Sequence, residues 1–167
     1  WAEQFDAINT LRRLLAWQGA SPDPALLTHL HSLVLLMIQF SDSLRSALAK
    51  NACMCFKEMF HILQGKMEAD LDLIVPVLIK KSAESNGFIC DEANKALAAM
   101  GQTVAESRAI GSLLACASHR NPAARAKAAV HLSRVVENMG AARLLASREL
   151  ERVLSAMPTM LAEGLSE

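Results

Sequence analysis

The feature that most constrains this chain is an apolar stripe at helical spacing that returns along its whole length, separated each time by a short polar turn. Leu71, Ile74, Val75 and Leu78 recur on one helical face, as do Ile89, Ala93, Ala96, Leu97 and Met100. The stripe returns at Ile110, Leu113, Leu114 and Ala117, at Ala128, Leu132, Val135 and Met139, and earlier at Leu44, Leu48, Cys55 and Met59. Strand-like alternation is nearly absent, so the fold class is all-α. Helix starts are marked by side chains that satisfy orphan backbone N–H groups: Asp23 before Pro24, Ser43 before Leu44, Asn121 before Pro122, and Thr103 with Glu106 as a capping box. The pattern predicts helices over about 2–18, 23–40, 44–64, 69–84, 88–101, 104–118, 122–139 and 148–162.

Pairs of these helices repeat. The register that aligns Leu44-Arg45 with Ile89-Cys90 and Ala124-Arg125 places Leu48, Ala93 and Ala128 four residues later in each, at offsets of 45 and 35 residues. Two helices and a short turn at a period near 40 residues are the signature of a HEAT-type α-solenoid, in which each hairpin buries its stripe only against its neighbours. A compact bundle accepts the same stripes but gives no reason for turns to recur in register, so the solenoid is the expected architecture. With 167 residues, 52% of them hydrophobic, the chain is long enough to bury a core without disulfides or metal, and one domain over 1–167 is expected.

Composition narrows function by exclusion. Seventeen Lys and Arg balance seventeen Asp and Glu, which argues against a general nucleic-acid binder, because that needs surplus cations to displace counterions. The longest aliphatic run, Leu33 to Ile38, falls far below the roughly 20 residues that span a bilayer, so no membrane span is expected. Cys53, Cys55, Cys90 and Cys116 lie inside helical patterns and lack the density of a disulfide scaffold, which points to a reducing compartment. The chain opens on Trp1 with no basic-then-apolar leader and reads as excised from something longer. No G-x-S-x-G elbow and no G-x-x-x-x-G-K-[ST] loop occurs. Cys53, Cys55, His29, His31 and His61 lack zinc-ligand spacing, and residues two apart on a helix do not face one ion. An enzyme, a metal and a cofactor are therefore not expected.

What remains is the row of turns. In a solenoid the turns inside the hairpins align along one edge, and here they carry Trp1, Ser43, Arg45, Lys80, Lys81, Asn86, Arg120, Asn121 and Arg125. A locally positive edge on a neutral chain suits an acidic protein partner. A terminal, exposed Trp is a typical hot spot.

Four segments then fall in order: W-A-E-Q-F-D-A-I from Trp1, S-L-R-S-A from Ser43, E-S-N-G-F-I-C-D-E-A-N-K-A-L-A-A-M from Glu84, and H-R-N-P-A-A-R from His119. This set resembles a TOG domain, closest to the crescerin TOG-array family of cilia and more distantly the CLASP proteins. The resemblance implies a non-catalytic, monomeric HEAT paddle whose intra-repeat turns bind αβ-tubulin or microtubules, in the cytoplasm, on the cytoskeleton and at the cilium. Carried across by position, Trp1 belongs to the first turn and Ser43 and Arg45 to the second. Lys81 and Asn86 fall in the third turn, and Arg120, Asn121 and Arg125 in the fourth. Gly87 stands where the family often places a basic residue, Cys90 replaces an arginine of the repeat register, and the family usually has more hairpins than this chain. The second reading, from a different class, is a HEAT scaffold that binds another protein or itself and no longer binds tubulin.

Overall fold

The computed structural model describes residues 1–19 and 22–164, with side chains described as far as residue 160. Its elements are α1 (Ala2–Gln18), α2 (Pro24–Thr28), α3 (Leu30–Ser41), α4 (Ser46–Leu63), a 3-10 segment (Gln64–Asp70), α5 (Leu71–Ser82), α6 (Gly87–Thr103), α7 (Glu106–Ala115), α8 (Pro122–Met139), α9 (Ala141–Leu145) and α10 (Leu150–Gly164). No strand occurs among the described residues. The all-α solenoid follows from how these elements pack.

One row consists of α1, α4, α6 and α8, each against the next; a second row places α3 against α5, α5 against α7 and α7 against α10. Neighbours within a row run parallel. Arg12 of α1 reaches Glu58 of α4, while Asn51 of α4 donates to Asn9 of α1 at 3.0 Å, so both helices advance together. His131 of α8 likewise meets Asn94 of α6, and Ser112 of α7 donates to Asp72 of α5. Hairpins α3–α4, α5–α6 and α7–α8 therefore turn at one edge of the molecule, and the links between hairpins lie at the other. Between the rows, Ile8, Leu15, Leu48, Phe56, Phe60, Ile74, Leu78 and Leu97 are fully buried. Each such side chain contributes about 1.5–3 kcal/mol relative to exposure.

The repeat register differs from the sequence expectation by one helical turn. Arg45, Asn86 and Asn121 occupy the N-cap positions of α4, α6 and α8, which makes the offsets 41 and 35 residues. Leu48, Ile89 and Ala124 are then equivalent and buried, as are Ala52, Ala93 and Ala128, whereas Leu44 is fully exposed. Four residues is close to one helical turn, so a stripe read from sequence accepts either alignment. The start of α4 moves for a local reason: the Ser43 hydroxyl accepts from the N–H of Arg45 at 3.1 Å, which closes a turn before the helix begins at Ser46.

Other boundaries shift in the same way. The single helix expected over 23–40 is two helices that meet at His29, because the Thr28 hydroxyl and the His29 N–H both bond back into the last turn of α2. The capping box at Thr103 and Glu106 does not form. Thr103 bonds back to the Ala99 carbonyl at 2.9 Å, and the start of α7 is capped from another turn, by Glu68 accepting from the N–H of Ala105 at 2.8 Å. Helix α4 ends where Gln64 adopts φ 47°, and the 3-10 segment after it replaces the expected start of the next helix at 69. Short helix α9 had no sequence signal of its own.

Candidate protein-docking edge

The geometry of the hairpin-turn edge follows from the caps. Trp1, Arg45, Asn86 and Asn121 are the N-cap residues of α1, α4, α6 and α8, so half of the eight expected site residues occupy one equivalent position in four parallel neighbours. Asn86 and Asn121 are true side-chain caps, accepting from Phe88 N–H at 3.2 Å and Ala123 N–H at 2.9 Å. Pro122 at N1 fixes the start of α8, since its missing N–H is one that a helix start leaves unpaired. Trp1 and Arg45 make no side-chain cap and point outward; Trp1 is 62% exposed.

Direct contacts join the second turn to the third. The Asp42 carboxylate takes the Lys80 ammonium at 2.9 Å and the Lys81 ammonium at 3.1 Å, and the hydrogen bond from Lys80, reinforced by Lys81, holds its pKa below the usual carboxylate range. Lys81 also donates to Glu84 at 2.8 Å. Burial alone would push the Lys81 pKa down, but its bonds to Glu84 and Asp42 together outweigh that and keep the ammonium charged. Lys81 is only 5% exposed. It was expected among the contact residues; the structure places it as a strut inside the edge, where a charge without partners would be costly. Lys80, beside it, is the exposed cation.

The fourth turn closes on itself. The Arg125 guanidinium donates to the carbonyls of His119 at 2.8 Å and Arg120 at 3.3 Å, and the Asn121 N–H donates to His119 Nδ1 at 3.1 Å. Arg125 thus holds the turn in shape while Arg120 and Asn121 are exposed. Ser43 is half-buried in its own turn.

Beneath the third turn runs a partly buried polar relay, from buried His131 through half-buried Asn94 and Cys90 to buried Ser82. His131 Nε2 donates to Asn94 Oδ1 at 3.0 Å, Asn94 Nδ2 donates to the Cys90 carbonyl at 2.9 Å, and the Cys90 thiol donates to the Ser82 carbonyl at 2.9 Å. It ties α8, α6 and the end of α5 together two turns below the edge. Burial, with Arg134 and Lys127 adding to it, lowers the His131 pKa to about 4, so the imidazole is neutral. Cys53 and Cys55 are buried, and desolvation pushes both thiols up to about 12; they serve as small apolar core residues.

Two side chains at this edge were absent from the sequence-derived set. Leu44 is fully exposed just before α4, and Phe88 is 74% exposed in the first turn of α6. The Lys50 ammonium of α4 sits 5.4 Å from the centre of the Phe88 ring, a cation–π contact of about 0.5–1 kcal/mol at an exposed site. The signal for Phe88 was available: the stripe runs Ile89, Ala93, Ala96, and an aromatic residue one position off it faces water.

Solenoid, caps and aligned turns meet their counterpart in comparison with known proteins: the family described as CLASP N terminal matches residues 1–166. This chain belongs to the CLASP N-terminal family. Within and around the family, the chain is similar to TOG array regulator of axonemal microtubules protein 1 of Mus musculus, 34% identical over 145 residues. That alignment covers 86% of this chain and 8% of the relative. The Homo sapiens protein of the same name is 34% identical over 114 residues, 68% of this chain and 6% of the relative. Crescerin-like protein che-12 of Caenorhabditis elegans is 24% identical over 148 residues, covering 87% and 11%. The chain therefore spans about a tenth or less of the length of these curated relatives.

Proposed function

We propose that this chain is a non-catalytic TOG module that binds αβ-tubulin along the hairpin-turn edge and so takes part in organising microtubules, in the cytoplasm and at the cilium. The observation that carries this reading is the alignment of four N-cap positions on one edge, with Trp1 and Phe88 exposed and the Arg45 and Arg120 side chains making no ion pair among the described residues. Aromatic side chains beside unpaired cations are the composition of an interface that anchors by burial and steers by charge. The names of the relatives, regulators of axonemal microtubules, support the choice of partner.

Purified chain and unpolymerised tubulin should migrate together in size-exclusion chromatography at low salt, and the complex should weaken as salt screens Arg45, Lys80 and Arg120. Separate migration at every salt concentration would refute the reading.

One observation favours the scaffold reading instead. An apolar groove of about 500 Å³ between α8 and α10 is lined by Val130, Leu132, Val136, Val153, Leu154 and Met157. Self-association in sedimentation equilibrium, together with no tubulin binding, would decide for the scaffold; a monomer that binds tubulin would decide against it.

A further inference from the structure

Resting on the tubulin reading above, we infer that Phe88, with Lys50 over its ring, is the contact residue of the third turn and supplies affinity by burial rather than by charge.

The other side chains of the third turn are engaged or absent. Lys80 is exposed but paired with Asp42, Lys81 is buried between Asp42 and Glu84, the Asn86 amide oxygen is taken up by capping α6, and position 87 is glycine with open space around it. Phe88 is what this turn presents. Its backbone N–H is fixed by the Asn86 cap at 3.2 Å, so the residue is anchored at its base while the ring stands in solvent. Lys50 belongs to the neighbouring hairpin and lies half-buried, so its ammonium over the ring joins the second and third turns across the surface of the edge. A ring held in this way loses less freedom on docking than an unsupported one, which is the condition for an anchor residue.

The place also fits the occupant. Trp1, Leu44 and Phe88 place one large exposed apolar side chain at each of the first three turns. Arg45, Lys50 and Lys80 stand around them, with Asp42 already neutralised by two lysines. Such a surface takes a protein partner that offers apolar ground bordered by carboxylates, and it commits the ring to the same tubulin surface that the cations steer toward.

The test measures tubulin affinity by sedimentation at low and at raised salt for the wild-type chain and for Phe88→Ala, Phe88→Trp, Lys50→Met and Arg45→Ala, each first checked for an unchanged melting temperature. Phe88→Ala should lose about tenfold or more at both salt concentrations, and Phe88→Trp should retain binding. Lys50→Met should lose less, about threefold, because the ring remains. Arg45→Ala should lose affinity at low salt and little at high salt. Wild-type binding with Phe88→Ala within about twofold of it, against the loss of order tenfold that an anchor residue implies, would overturn the inference and leave the tubulin reading standing. A loss in Phe88→Ala that disappears at raised salt would also overturn it, by assigning the effect to charge. Absence of wild-type binding would overturn both.

Discussion

The two edges of this solenoid are built from the same kind of short turn, yet their side chains have opposite fates. At the edge that links one hairpin to the next, the turns are stitched to each other on the surface. Glu68 caps α7 through the N–H of Ala105, the Arg108 guanidinium donates to the Glu68 carbonyl at 2.7 Å, and Arg143 pairs with Glu106. At the hairpin-turn edge, surface links of this kind join the second turn to the third: Asp42 with Lys80 and Lys81, and the Lys50 ammonium over the Phe88 ring. Register there is maintained from below, by the His131–Asn94–Cys90–Ser82 relay and by Arg12, which bonds Asn51 at 2.7 Å and Glu58 between α1 and α4. The stitched edge does carry Trp17, exposed at the end of α1. The difference teaches that an edge can present its side chains only if something else holds its turns, and here the interior does so.

Acid should expose this dependence first. The unfolded chain takes up a proton on His131 as pH falls through about 6.5, whereas the buried imidazole stays neutral down to about 4. Between those values the unfolded state binds more protons, so stability falls with falling pH, by about 3 kcal/mol at most. Urea midpoints measured from pH 7 to pH 4 should drop across this window, and His131→Gln should flatten the drop; an equally steep profile in the variant would assign the loss elsewhere.

Next in size is Trp1→Glu, expected to weaken tubulin binding by about 2 kcal/mol or more without changing the melting temperature. Unchanged affinity would remove the first turn from the docking edge. Glu68→Ala reverses that signature. It deletes the cap of α7, so stability should fall by about 1 kcal/mol while tubulin affinity stays the same. If it weakened binding as Trp1→Glu does, the distinction between the edges would break. The smallest effect belongs to Arg45→Ala, about 0.5–1 kcal/mol of affinity at low salt that fades as ionic strength rises.

How much of this was legible in the sequence depends on the range of the interaction. Helices and their order were legible because each stripe and each cap is local, and Asn86-Gly87-Phe88 or Asn121-Pro122 announces a helix start within three residues. The register of α4 was not, because four residues return the stripe to the same face and only packing against α6 decides between Leu44 and Leu48. The fate of Lys81 was beyond reach: its partner Asp42 lies 39 residues away (81 − 42) on a different hairpin. For the same reason the spacing of Thr103 and Glu106 does not disclose that Glu68, 37 residues from Ala105, caps α7. Phe88 is legible by its phase against the stripe, but it carries no charge or cap that marks it as a turn contact.

Hydrogen–deuterium exchange on the chain with and without saturating tubulin addresses the division of labour between the edges in one measurement. Added protection should be confined to four separate stretches, 2–6, 42–50, 84–91 and 119–125, with 64–70, 103–108 and 140–149 unchanged. Protection centred on those latter stretches, or none at all under conditions where the two proteins co-migrate, would contradict the assignment of the hairpin-turn edge as the docking surface.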